Sequence, residues 1–93
     1  LFLDLLGNNL TNLDGVDRYP LLSGLCINDN PVIDLMPLTT IPKLTYVNVG
    51  SISATDFGPL ADIPNLEKVD CSLNQQESIQ NALYGRNVTI NAY

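Results

Sequence analysis

The chain has 93 residues, 45% of them hydrophobic, a formal net charge of -6 and no histidine. That length allows one domain. Its four cations, Arg18, Lys43, Lys68 and Arg86, are scattered and form no basic stripe, which argues against a nucleic-acid partner, and the missing imidazole rules out a histidine-based metal site or triad.

The chain opens in a strand pattern. Leu3 and Leu5 alternate with Phe2, Asp4 and Leu6, the period of a strand with one buried face. Asn8 follows, and then Leu10, Leu13 and Val16 recur every three positions, which suits a 3₁₀-like or irregular return leg. The same succession returns as Leu22, Leu25, Ile27, Asn30, Val32, Leu35 and Leu38. It returns again as Leu44, Val47, Val49, Ile52, Ala54, Phe57 and Leu60, and then as Leu66, Val69, Cys71, Asn74 and Ile79. Leu5, Ile27, Val49 and Cys71 therefore stand 22 positions apart, and their neighbours keep step. The spacing divides the chain into copies 1-21, 22-43, 44-65 and 66-87, with a terminal strand at 88-91. One copy cannot bury its leucines alone, whereas stacked copies can.

Two smaller ladders accompany the apolar one. Asn8, Asn30 and Asn74 fall where the chain leaves each strand, and a buried amide there can satisfy backbone groups that no strand pairs. The third copy has Ile52 in that place, so its turn is expected to differ or its backbone groups to pair with water. Pro20, Pro42 and Pro64 precede the approach to a strand, and Pro37 and Pro59 lie on the return leg. The fourth copy closes differently. Residues 77-84 read as one or two helical turns with Ile79 and Leu83 on one face and Gly85 as the stop. Val88-Thr89-Ile90 reads as a fifth strand, aligned with Val69-Asp70-Cys71.

Written as LxxLxLxxNxLxxLxxL, the pattern resembles the leucine-rich repeat along essentially the whole chain. The phrases Pro37-Leu38 and Pro59-Leu60-Ala61, the latter followed by Ile63-Pro64-Asn65-Leu66, look like the 22-residue repeats of bacterial internalin-type surface proteins. They are also similar to eukaryotic phosphatase-regulating solenoids. The resemblance implies an α/β repeat solenoid: a right-handed superhelix with a short parallel β-sheet on its concave face and 3₁₀ or irregular convex legs. The start inside a strand leads us to expect a piece of a longer protein, or end-to-end contacts that cover the exposed copy.

In such a fold the variable strand residues form ladders on the concave face. They run Phe2, Gly24, Tyr46, Lys68; Asp4, Cys26, Asn48, Asp70; Leu6, Asn28, Gly50, Ser72; and Gly7, Asp29, Ser51, Leu73. Five strands about 4.8 Å apart span about 19 Å, a face suited to a peptide or part of a folded partner. Tyr46 is the expected anchor, with Asn48, Asp4, Asp70, Asn28 and Lys68 around it. Asn48, Asp4 and Asp70 are placed to orient a cationic or amide-rich partner.

No catalytic, cofactor or metal site is expected. Asp4 and Asp70 stand about 14 Å apart if three strand spacings separate them, too far for paired acid-base work. Asp14, Asp17, Asp34, Asp56 and Asp62 fall on turns, where Asx capping is the ordinary role. Cys26 is expected on the variable face and Cys71 in the core, two copies apart, so no disulfide joins them. The sequons at Asn9 and Asn87 are what a chain rich in Asn and Thr produces by chance. These residues hold no signal peptide and no apolar run of spanning length. The expected function is a protein-interaction module from a bacterial cell-surface or secreted protein, extracellular, with edge-to-edge self-association also open. The alternatives are a cytoplasmic regulatory scaffold and a structural spacer.

Overall fold

The computed structural model describes residues 1–93, and in it the alternating segments become strands that pair in sequence order. Strands β1 (Phe2–Asp4), β2 (Gly24–Cys26), β3 (Tyr46–Asn48), β4 (Lys68–Cys71) and β5 (Thr89–Ala92) form one parallel sheet in the order β1-β2-β3-β4-β5. The register follows the 22-residue period through the first four: Leu3 pairs with Leu25, Leu25 with Val47, and Val47 with Val69. These residues face the interior, and Leu25, Val47 and Val69 are fully buried.

Behind the sheet run the return legs, with 3₁₀ turns at Val16–Arg18, Met36–Thr40 and Gly58–Asp62. Pro37 and Pro59 occupy the second position of the latter two, where a missing N–H costs no hydrogen bond. Asp34 and Asp56 cap the entry to these turns, each accepting from the N–H two residues on at 2.9 Å. In the first copy Asn12, not Asp14, does this. Between sheet and legs lies a single cluster of 21 buried apolar residues. Each fully buried Leu, Ile or Val there contributes about 1.5–3 kcal/mol relative to exposure. The molecule measures 30 × 26 × 18 Å, and no helix is long and apolar enough to cross a membrane.

The asparagine ladder forms at only one of its three positions. Asn30 is 2% exposed, and its amide nitrogen donates to the carbonyls of Leu5, Ile27 and Asn28 at 2.8–3.2 Å. Its oxygen accepts from Leu10 N–H, so one side chain ties two successive copies. Asn8 and Asn74 are exposed instead. Asn8 bonds only within its own turn, its amide nitrogen donating to Leu6 O at 3.2 Å. In the fourth copy the chain turns one residue later, and Gln75 takes the buried place. Its amide nitrogen donates to Val49 O at 2.9 Å and its oxygen accepts from Ser72 N–H at 2.7 Å. The third copy thus lacks its own buried amide at Ile52, but its strand-end carbonyl pairs with Gln75, not with water.

The far end departs from the period as expected, with one correction. Leu73–Gln75 forms a 3₁₀ turn that runs into helix α1 (Gln76–Ala82), whose Ile79 is fully buried. Gly85 ends this segment at φ 84°, a backbone that glycine adopts without steric cost. Thr89 and Ile90 pair with Lys68 and Val69, so β5 is aligned two residues beyond the expected match of Val88 to Val69. A shift of two preserves the alternation, and Ile90 still turns to the core side. Arg86 pins this end by donating through its guanidinium to the carbonyl of Ala61, inside a 3₁₀ turn, and to that of Ile63, just after it.

Asn30→Ala is expected to lower unfolding stability by about 2–3 kcal/mol, because it orphans buried backbone groups in two copies. Asn74→Ala should change it by less than about 0.5 kcal/mol. Urea denaturation midpoints of the two variants check this contrast.

Candidate interaction surface

The sheet face opposite the core is built from the residues that alternate with Leu25, Val47 and Val69. Two rows lie on the strands: Phe2, Gly24, Tyr46, Lys68 and Thr89, then Asp4, Cys26, Asn48, Asp70 and Asn91. A third row, Leu6, Asn28, Gly50, Ser72 and Tyr93, continues past the strand ends. The expected fourth ladder is not a strand row. Asp29 and Ser51 have left-handed backbones with φ 58° and 55°, and Leu73 begins a 3₁₀ turn. The strands are only three or four residues long, so these positions turn the chain away from the sheet.

The first row holds an ordered aromatic–cation stack. The rings of Phe2 and Tyr46 lie 6.1 Å apart at 16°, although their strands are separated by β2. Gly24 makes this possible, since a Cβ at that position would overlap the Phe2 ring. Lys68 leans on Tyr46 from the other side, its Nζ 5.6 Å from the ring centre, within cation–π range. Phe2 remains 57% exposed.

The second row fixes the first. The Tyr46 hydroxyl donates to Asp70 Oδ2 at 2.6 Å. Asn91 Nδ2 approaches the other carboxylate oxygen at 3.5 Å. Asp70 is only 8% exposed, so it positions Tyr46 and is not a free contact for a partner. Asp4 Oδ1 and Asn48 Oδ1 each accept from a backbone N–H two residues on, Leu6 at 3.1 Å and Gly50 at 3.0 Å. Both side chains keep one polar atom for a partner. Asn28 lies in the third row, with its Oδ1 buried and unpaired.

Cys26 stands in the second row, as its position in the strand predicts, but it is buried there. Cys71 is in the core, and both thiols are free. Burial, then the charge of Asp4, pushes the Cys26 thiol up, against the hydrogen bond with Tyr46. Burial, then Asp70, raises Cys71. Burial raises Tyr46 strongly too, followed by the hydrogen bond to Asp70 and its charge. A thiol shifted this way is protonated at neutral pH and is a poor nucleophile.

The structure thus brings Tyr46, Lys68 and Asp70 into one connected group, with Asn48 and Asp4 beside it and Asn28 beyond the strand ends. The expected set omits Phe2, Gly24 and Asn91. The signal for Phe2 was present in the sequence as two aromatics flanking a glycine at the 22-residue spacing. For Asn91 no such signal exists, because its place depends on the shifted register of β5. No family model matches this chain, and no curated protein or solved structure matches it.

These groups give a definite alkaline response. Thiols and a phenol whose folded pKa is raised stabilise the fold fully below their unfolded values, and that stability is lost as pH rises toward the folded ones. Unfolding stability should therefore fall above about pH 9, where unfolded cysteines ionise, and further above about pH 10 through Tyr46. Tyr46→Phe is expected to remove the second part of the slope. Denaturant midpoints between pH 8 and pH 11 measure it.

Proposed function

We propose that this chain is a leucine-rich-repeat solenoid of the 22-residue type, acting as a non-catalytic protein-binding module of a bacterial cell-surface or secreted protein. Support for the repeat assignment comes from the match between the sequence period and the strand register, and from return legs built of 3₁₀ turns with Pro37 and Pro59 at their second positions. The contact surface is the outer face of the sheet.

The observation that carries the binding proposal is the Phe2–Tyr46–Lys68 stack. Tyr46 is held by Asp70 and by its neighbours, so little side-chain entropy remains to be lost when a partner covers it. An exposed aromatic beside a fixed one, with polar groups around them, has the make-up of an interface anchor and its rim. The chemistry of the same face disfavours catalysis. Its one thiol is shifted toward the protonated form, and Asp70 is committed to a tyrosine.

Tyr46→Ala is expected to abolish capture of partners in affinity enrichment, while Met36→Ala, exposed on a return leg, leaves the same partners bound. Circular dichroism of both variants checks that the fold survives. Partners retained by Tyr46→Ala, or lost equally from Met36→Ala, would remove the outer face from consideration.

A further inference from the structure

Asp14 is the one aspartate of this chain that is followed by glycine, and no asparagine is followed by one. The pair lies just before the 3₁₀ turn at Val16–Arg18. Leu13, Asp14, Gly15 and Val16 form a turn closed by Val16 N–H, which donates to Leu13 O at 3.2 Å. Gly15 has φ 89° and ψ -2°, the backbone of the third residue in a type II turn. A Cβ there would meet no atom within 4 Å, so the chain at Gly15 is open to its surroundings.

This pair stands apart from the other aspartates on the return legs. Asp34 and Asp56 each hold the N–H two residues on, whereas in the first copy Asn12 does so and the exposed Asp14 carboxylate accepts no hydrogen bond. Neither the Asp14 carbonyl nor the Gly15 N–H takes part in a backbone hydrogen bond. The peptide plane between them is therefore held by nothing but the turn around it.

We propose that Asp14 converts spontaneously to isoaspartate through a succinimide closed by the Gly15 nitrogen. That nitrogen attacks the side-chain carboxyl carbon of protonated Asp14, and a new N–C bond forms. The carboxyl hydroxyl leaves with the amide proton as water. A second water then adds to the main-chain carbonyl carbon of Asp14 and breaks its bond to the nitrogen. The backbone now runs through the former side chain and is one carbon longer. The former main-chain carbonyl is left as a free carboxylate, and no atom changes oxidation state. Bringing the nitrogen to the carboxyl carbon requires the peptide plane to rotate, and that rotation breaks no hydrogen bond. Glycine places no side chain in the path. At Asp34 and Asp56 the carboxylate is already engaged, and Leu35 or Phe57 shields the next nitrogen. The added carbon falls inside the turn that joins Leu13 to Val16, both core residues. The longer turn gives up its closing hydrogen bond, and the first copy loosens. This modification is independent of what the outer face binds.

The test is incubation of the folded chain in mildly acidic buffer, where part of an aspartate population is protonated. Peptide mapping follows, with methyl labelling by an isoaspartate-specific carboxyl methyltransferase. Label is expected in the peptide that holds Asp14 and in no other. Its rate of appearance in the folded chain should lie within about tenfold of the rate in urea, because a hydrogen bond that had to break first would slow it by about that factor. Asp14→Glu, whose longer side chain does not close the same ring, should lose the label. Gly15→Asn keeps a residue that tolerates the left-handed backbone and should slow labelling severalfold. The isomerised chain, separated by reversed-phase chromatography, should unfold at a lower urea midpoint than the unmodified one. Absence of label from the folded chain, label at another aspartate, equal labelling of Asp14→Glu, or an unchanged midpoint after isomerisation would overturn the proposal.

Discussion

The structure depends on burying one apolar residue from each strand against its equivalents in the next. Leu25, Val47 and Val69 stand side by side, fully buried, because the backbone returns to the same register after each 22-residue excursion. No single excursion encloses enough apolar surface to offset its loss of chain entropy. Every other feature either preserves that register or closes it off. The 3₁₀ turns of the second and third copies, each with a proline at its second position, form their return legs. The buried amides of Asn30 and Gln75 satisfy the carbonyls where the first three strands stop.

The amides show how tightly local chemistry follows position in the stack. Asn30 bonds four backbone groups because it has a copy on one side and its own turn on the other. The same residue type at position 8 is exposed and reaches only Leu6 O in its own turn. At position 74 it loses its place to Gln75, since the 3₁₀ turn that begins at Leu73 changes which side chain points inward. The longer glutamine still reaches back to Val49 O. The deficiency at Ile52 is in this way met from the following copy.

The outer face follows from the same register. In-register pairing puts Gly24 beneath Phe2 and beside Tyr46, so two rings meet across an intervening strand. It also brings Asp70 beside Tyr46, and the resulting hydrogen bond commits a carboxylate that would otherwise be open to a partner. A face proposed to bind thus has a fixed aromatic centre, and the groups left free lie toward its ends.

Alternation and the 22-residue spacing by themselves determined the strands, their order, the core residues Leu25, Val47 and Val69, and the face on which Tyr46 and Lys68 lie, because side-chain direction in a strand depends only on parity. Gly85 as a stop and Ile79 with Leu83 as a helical face were legible for the same local reasons. Only the tertiary structure decided which amides are buried, where β5 pairs, and that Asp70 serves Tyr46. Those outcomes depend on distances between side chains in different copies, and a sequence period fixes which residues are neighbours without fixing how far their side chains reach.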